Sequence, residues 1–562
     1  MNLNISNKKL ILVFLFIMLG ISSLKSQVTQ QWVKAYNYSH NTSSYGYKIK
    51  CDKQNNVYLL GITRITPGSQ PSICLIKFNS NGVTQWIARY DNGFNGYNYP
   101  WDMTIDSSGN IYIVGTSQRD SLANNLDLIL LKYSPIGNLI LEKRYFHTGN
   151  IQSGGLSIKL DKIQNIYIVG GMWDRDIGFL GTNYILTLKC NTKGDVIWFD
   201  KFANGIIDCI GKFVGLDENE NVYSSGYIYN DTLSTYTGFY LQKLTSSGNV
   251  VWRRSKFFHW ESYPNAMEVS PKGNIYLGGG ITHSSSSSVD MGIIKYDSSG
   301  NLIWTKIFNH EFENIEGGSY DFIHDIKIDK KEYVYFTGRD IVPGNYLDIA
   351  TGKVDSSGNT VWLNHFDPRG SDDDVGISLA LDDSNNVYVT GITGFSQGSD
   401  VVTLRINNNG EFKWHKIFSS MSPYSSDEGL SIAIDTQNNI LVGGFSRTTP
   451  GTVDMIAIKY SQTTSVNNEN ELSDIRFELF QNYPNPFNPE TNIEFKINIP
   501  GEYELKIFDV SGKLIDIPLR KQLQSGKYII NWNAEKYPSG IYFYGFYKDG
   551  VKLEIKKMIY LK

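Results

Sequence analysis

Eight histidines punctuate the chain, at His40, His147, His259, His283, His310, His324, His365 and His415. None stands at the HExxH spacing that seats zinc on one helix face, so no metal is expected. Gly394-Phe395-Ser396-Gln397-Gly398 fits the GxSxG pattern of a nucleophile elbow, which needs a strand before it and a helix after it. Here it falls in a strand-to-strand loop, and Ser396 is read as an ordinary loop serine. Asp372-Asp373-Asp374 offers carboxylates to calcium, but no EF-hand or RTX spacing accompanies it, and a solvated acidic loop is expected. Cys51, Cys74, Cys190 and Cys209 match no CxxC or zinc pattern. Isolated buried thiols are expected, although export would permit disulfides. No acid and base pair stands out, so the sequence gives no positive sign of an enzyme and no cofactor is expected.

The remaining chemistry is aromatic. Tyr97, Tyr99, Trp101, Trp173, Tyr229, Trp260 and Tyr263 fall in segments that vary in length and composition. Aromatic planes beside carboxylates and amides suit a sugar ring, whose C–H face stacks while its hydroxyls hydrogen-bond. Ordinary surface aromatics of loops are the competing reading.

The elements that position them repeat. A phrase Asp-x-x-x-Asn-(Val/Ile)-Tyr-x-x-Gly opens at Asp52, Asp106, Asp161, Asp217, Ser270, Asp329, Asp382 and Asp435, at spacings of 53 to 59 residues. Ser270 replaces the Asp once, Tyr333 the Asn once and Leu441 the Tyr once. Each copy reads as four short strands; in the second they are Met103–Asp106, Asn110–Ser117, Asp127–Tyr133 and Asn138–Phe146. The first and second are joined by a short Gly-bearing turn, as are the third and fourth. Ile111-Tyr112-Ile113-Val114 is apolar on both side-chain faces, as a strand buried on both sides must be. Four-stranded sheets sandwiched between neighbours are propeller blades. The links between strands two and three, and between blades, are long and emerge on one face with the aromatics. The third strand carries Lys77, Lys132, Lys189, Lys243, Lys295, Lys353, Arg405 or Lys459, and the fourth Trp86, Leu141, Trp198, Trp252, Trp304, Trp362 or Trp414. No Trp strand follows Lys459. One stands instead near the N-terminus, Gln31-Trp32-Val33-Lys34-Ala35-Tyr36, and is expected to close the eighth blade as its outer strand. Phrases such as Asp106-Ser107-Ser108-Gly109-Asn110-Ile111-Tyr112-Ile113-Val114-Gly115 resemble the SBBP family of bacterial β-propeller repeats. That resemblance covers residues 27–460 and implies the fold and an exported, often surface-associated setting, but no single activity.

Lys8 and Lys9 precede an apolar run, Leu10 to Ile21, too short to span a bilayer. Residues 1–26 are read as a signal peptide cut after Ser26, leaving no membrane span. Residues 461–474 are polar and read as a linker. Five strands follow, Ile493–Ile497, Tyr503–Asp509, Lys527–Trp532, Gly540–Tyr547 and Glu554–Leu561, read as a small Ig-like sandwich over residues 475–562. Asn482-Tyr483-Pro484-Asn485-Pro486-Phe487-Asn488-Pro489, Phe508-Asp509-Val510-Ser511-Gly512, Ser539-Gly540-Ile541-Tyr542 and Lys556-Lys557-Met558-Ile559-Tyr560-Leu561-Lys562 run in order. Together they resemble the type A sorting domain of the type IX secretion system. The resemblance assigns Pro484, Asn485, Pro486, Phe487, Gly512, Gly540, Lys556, Lys557 and Lys562 to a sorting signal. It implies the type IX machinery as partner, with passage through the periplasm to the cell surface or the medium.

The 562 residues are 41% hydrophobic, 13% aromatic and 19% charged, rich in Tyr and Gly, which suits an all-β protein. The net charge of −4 disfavours a nucleic-acid binder, which needs a basic surface. The expected role is therefore a non-catalytic propeller binding a glycan or protein ligand at its long-loop face. Trp101, Trp260, Tyr97, Tyr99, Tyr263 and Trp173 are the candidate contacts. A secreted polysaccharide hydrolase or lyase, and a structural surface protein, are the alternatives.

Overall fold

A computed structural model describes residues 27–39, 42–93, 96–120, 125–146, 151–174, 182–203, 209–230, 236–258, 262–282, 288–308, 320–342, 346–368, 373–394, 398–420, 426–449, 452–463, 477–497, 501–510, 513–524, 526–548 and 551–562. The signal-peptide segment and most of the linker lie outside them. The chain divides into two compact units between Thr463 and Thr464.

The first unit consists of eight four-stranded antiparallel sheets, one per repeat, in a β-propeller architecture. Each sheet packs on the next, and the first packs on the eighth. In the second sheet the strands are Asn98–Ile105, Ile111–Gln118, Leu126–Tyr133 and Leu139–Tyr145, running from the innermost outward. The second and third strands are buried almost throughout, since neighbouring sheets cover both of their faces. The N-terminal strand Gln27–Tyr36 pairs antiparallel with Thr452–Thr463 as the outer strand of the eighth sheet. That last strand runs to Thr463, beyond the expected end at Tyr460.

The repeated polar phrase builds the turn between the first two strands of each blade. Asp106 Oδ1 accepts the backbone N–H groups of Ser108 (2.9 Å) and Asn110 (2.8 Å), and Oδ2 accepts Asn110 Nδ2 (2.8 Å) and the Tyr112 hydroxyl (3.3 Å). A short acidic side chain capping its own turn is the local chemistry expected of Asp. The Lys132 ammonium lies over the Tyr112 ring, 4.6 Å from its centroid.

A second device joins blade to blade. Trp86 Nε1 donates to Pro135 O (3.0 Å), in the third-to-fourth hairpin of the next blade. Trp198, Trp252, Trp304, Trp362 and Trp32 make the same contact to Ser246, Ser298, Ser356, Asn408 and Ser80, at 3.0–3.2 Å. The hairpin glycine sits directly on the indole: a Cβ on Gly137, whose φ is +87°, would stand 2.7 Å from the Trp86 ring. Only glycine meets both demands there.

The junction from the seventh blade to the eighth differs. In the eighth blade the outer two strands, Gln27–Tyr36 and Thr452–Thr463, are not joined by the hairpin that the other blades have there, and Trp414 Nε1 is buried without an acceptor among the described residues. Arg405, in place of the usual Lys, donates through Nη1 to Gln462 Oε1 (2.8 Å).

Every innermost strand also carries one β-bulge, at Tyr47, Trp101, Leu156, Lys212, Asn265, His324, Ile377 and Leu430. The ladder resumes beyond the bulge. The innermost strands consequently begin earlier than alternation predicts, at Asn98 instead of Met103 in the second blade.

The second unit holds a three-stranded and a four-stranded antiparallel sheet that share one core, including Phe487, Phe495, Leu505, Tyr544, Met558 and Tyr560. Two strands were not anticipated, Phe477–Leu479 and Leu514–Leu523. The latter contains Pro518 and three charged residues, a composition tolerated because it is an edge strand. The two ends of the sorting motif meet here. Phe487 donates its N–H to Ile559 O (3.0 Å) and accepts from Leu561 N (3.0 Å), while Asn485 Oδ1 accepts from Ile559 N (2.8 Å). Gly512 lies outside the described residues.

Removing residues 27–37 should expose the edge of the eighth blade and cost several kcal/mol, read as a fall in the melting temperature with aggregation. A finer comparison isolates the clasp. Trp198→Phe should cost about 1 kcal/mol more than Trp414→Phe in denaturant unfolding, because only Trp198 loses a hydrogen bond.

Candidate functional site

The sequence candidates fall into three groups. Tyr97 and Tyr99 stack on each other, with centroids 6.2 Å apart and planes inclined by 18°. Tyr263 is tied into a cluster: its hydroxyl is 3.4 Å from that of Tyr229, and its ring meets Tyr227 edge-on at 5.6 Å. The Lys212 ammonium lies 5.4 Å from the Tyr227 centroid, so these rings are held together by their own contacts. Trp260 lies outside the described residues.

Trp101 and Trp173, from neighbouring blades, are brought to one cleft of about 220 Å³, whose lining includes Thr116, Leu126, Gln152 and Asn183. Trp101 does not stand in an inter-blade link, as expected from the sequence. It is the bulge residue of an innermost strand, and the bulge turns its ring outward, leaving it 47% exposed. Trp101 Nε1 donates to Thr116 Oγ1 (3.2 Å), fixing the indole. Trp173 is the next-to-last residue of the second strand Ile166–Asp174, again not in a link. Both strands outrun their apolar cores, which is why alternation alone placed these residues in loops.

A larger cavity, about 720 Å³, was not foreseen. Its walls come from the innermost strands of all eight blades, which makes it the central channel of the ring. Lys48, Lys50, Asp102, Lys159, Glu268, Asp325 and Lys327 line it. Lys327 Nζ is 2.9 Å from Glu268 Oε1 and 3.0 Å from Asp325 Oδ1. Burial alone would depress the Lys327 ammonium, and the two carboxylates more than offset it. Burial likewise pushes Lys50 below the usual lysine range, helped by the charges of Lys159, Lys48 and Lys327 and opposed by Asp102. Asp102 Oδ2 accepts Ile158 N (3.1 Å) and Asp325 Oδ2 accepts Leu379 N (3.0 Å), so channel carboxylates also satisfy the open edge of the next blade.

His324, the sixth bulge residue, lines the same channel; its Nε2 is buried without a partner, and burial pushes its pKa down to about 4. His365 Nε2 lies 2.7 Å from Asp340 Oδ2, a contact that fixes its strand position. The four thiols are free and separate, with Cys74, Cys190 and Cys209 buried. No group of three His, Cys, Asp or Glu side chains converges to metal distance among the described residues. Gly394 and Gly398 flank a link between strands Val387–Thr393 and Asp400–Ile406, and Ser396 lies outside the described residues.

The acidic triplet is not the solvated loop expected. Asp374 begins the strand Asp374–Leu381 and is fully buried, and the contacts of its carboxylate with the Thr393 hydroxyl and the Gly394 N–H only partly offset the burial. Burial, with the charges of Asp367 and Asp348, raises it to about 7. Asp373 Oδ1 accepts Leu347 N (3.0 Å), and Asp372 lies outside the described residues.

Residues 481–561 match a family described as a secretion system C-terminal sorting domain. No curated protein sequence matches the chain. Several solved structures are similar to the chain at low identity. A protein of unknown function from Bacteroides caccae is 11% identical, with 52% of this chain and 90% of that one covered at a TM-score of 0.29. The β-propeller domain of the Trilobed protease from Pyrococcus furiosus is 10% identical, covering 66% and 98% at 0.39. The polysaccharide lyase Uly1 is 11% identical, covering 64% and 90% at 0.40. The chain thus carries a secretion-system sorting domain behind its ring of blades.

Asp374 gives a pH signature. Its carboxyl ionises near 3.8 when unfolded but only near 7 when folded, so folding takes up a proton between these values. Stability from this group is fully present below about pH 4 and is lost as pH rises to 7, at about 1.4 kcal/mol per pKa unit. Urea unfolding at pH 5 and pH 8 should show this fall in the native chain, and a flattened profile in Asp374→Asn.

Proposed function

We propose that this chain is an exported, non-catalytic eight-bladed β-propeller of the SBBP repeat type. In this reading it leaves the inner membrane by its N-terminal signal peptide and crosses the outer membrane through the type IX machinery. The Trp101–Trp173 cleft binds a carbohydrate. The observation that carries the ligand reading is that these two indoles, from separate blades, line one cleft together with hydroxyl and amide side chains. One aromatic plane can stack on the C–H face of a pyranose while Gln152 and Asn183 meet its hydroxyls. Among the described residues none that lines the cleft is acidic, whereas glycoside hydrolysis uses a pair of carboxyl groups flanking the scissile bond. This favours binding over cleavage.

Two of the sequence candidates acquire other roles in this reading. Tyr97 and Tyr99 form a stacked pair that flanks the cleft strand, and Tyr263 is scaffold. The two-sheet C-terminal unit serves as the address, in an Ig-like sandwich, with Pro484, Asn485, Pro486, Phe487, Gly512, Gly540, Lys556, Lys557 and Lys562 in its sorting signal. Docking of Phe487 between Ile559 and Leu561 joins the head and tail of that signal into one surface.

Ligands identified on a glycan array should bind Trp101→Ala and Trp173→Ala more weakly by roughly 1–3 kcal/mol, the scale of a large apolar contact. The melting temperature of Trp101→Ala should stay near that of the native chain, and Trp198→Ala should lower it. Unchanged glycan affinity in both cleft variants would remove the carbohydrate reading. For export, deleting 556–562 removes Met558 and Tyr560, which are 0% and 1% exposed, so the C-terminal unit should loosen while the blades stay folded. The truncated chain should collect in the periplasm of a host with this secretion system, and normal levels in the medium would refute the address.

A further inference from the structure

Three of the four channel lysines have no anionic partner. Lys327 is neutralised by Glu268 and Asp325. Lys48, Lys50 and Lys159 make no ion pair or hydrogen bond among the described residues, and Asp102, within electrostatic reach of Lys50, is the carboxylate left to oppose them. Like charges gathered around one cavity repel one another unless something compensates them, and burial already holds Lys50 below the usual lysine range. A chain that needed only a packed channel would carry serine or alanine there, as the seventh and eighth blades do at Ser378, Ser431 and Ala433.

We propose that the central channel is a binding site for a small multivalent anion, held by Lys48, Lys50 and Lys159. Lys48 and Lys50 come from the innermost strand of the first blade, and Lys159 from that of the third. The two strands belong to blades two places apart in the ring, and the charges of Lys48 and Lys159 both reach Lys50. Ser157 and Ser431 add neutral donors. Each oxygen accepts a backbone N–H from the next blade, Val214 at 3.4 Å and Ile49 at 3.2 Å, which leaves the hydroxyl proton free to point into the channel. His324 of the sixth blade also lines the cavity. A cavity of about 720 Å³ lies in the range of small-molecule sites and is roomy for a tricarboxylate. Lysine suits such a ligand because its ammonium is a compact charge on a mobile stem and can follow anions of different shape. The site is independent of the aromatic cleft, which is lined by other residues.

Citrate is the probe. Calorimetric titration of the purified full chain with citrate, with sucrose as the neutral control, should give saturable binding to citrate alone, weakening as salt is added. Lys50→Met and Lys159→Met should each weaken it at least tenfold, while Lys193→Met, on an exposed hairpin, leaves it unchanged. Because Lys50 is depressed below the usual range, it should acylate early with acetic anhydride, and citrate should protect it in peptide maps of the unaltered chain. That measurement decides the matter even where a variant fails to fold. Trp101→Ala should bind citrate like the native chain, which separates this site from the carbohydrate cleft. Absence of citrate binding, equal affinity in Lys50→Met and Lys193→Met, or acylation of Lys50 indifferent to citrate would overturn the proposal.

Discussion

A sheet that is apolar on both faces cannot end in water, and the first unit depends on this constraint. Tyr112, Val114, Leu128 and Leu130 are fully buried only because the next blade covers them. The contact that sets how blades meet is the indole of one outer strand lodged under the positive-φ glycine of the neighbouring hairpin. It fixes the spacing at the rim while the bulged innermost strands set the width of the channel. Its hydrogen bond contributes about 1 kcal/mol net, but repetition around the ring makes the geometry uniform. The second blade uses Leu141 against Gly194 and keeps the packing without the hydrogen bond.

Exceptions to the repeat show how tightly its parts are coupled. Ser270 lacks the carboxylate of the turn, and Glu332 from the next blade replaces it, accepting Asn274 Nδ2 and the Tyr276 hydroxyl at 2.8 Å each. Leu441 lacks the hydroxyl of the usual Tyr, and Lys459 Nζ then reaches Asp435 Oδ2 directly at 2.9 Å. At the eighth blade, where no hairpin exists, Gln462 donates from Nε2 to the Tyr388 hydroxyl (2.8 Å) and offers Oε1 to Arg405. In each case a departure at one position is answered in space by a residue distant in sequence. A buried carboxylate, hydroxyl or ammonium left alone costs more than its partner contributes.

The blades and their closure were legible because they rest on local pattern: a turn phrase, a run apolar on both faces, and an orphan Trp32 strand matched to a missing one. The bulges were not, since an extra residue in one strand is visible only against the register of its partner. That single blind spot misplaced Trp101. The channel was hidden for a different reason. Each blade supplies between one and four lining residues, and Lys50, Lys159 and Glu268 look like ordinary solvent-facing alternation until the ring closes and gathers them around one cavity. Asp374 misled in the same way, as a charged triplet whose last member is carried inward by a strand start. The docking of Phe487 onto Ile559 and Leu561 was likewise invisible in two motifs at opposite ends of a domain.

The seam between Gln27–Tyr36 and Thr452–Thr463 also sets an order of events. Gln31 and Ser461 are hydrogen-bonded across 430 residues, so the strand synthesised first waits for the one synthesised last. Until then seven blades can stack on their neighbours as an open horseshoe, with two exposed edges and a channel that lacks closure on one side. Contacts of such long sequence separation form slowly and leave edges available to other chains. Ring closure is therefore a late step, completed only when all eight blades stand in register, and a chain cut before Thr452 is incomplete in shape as well as in length.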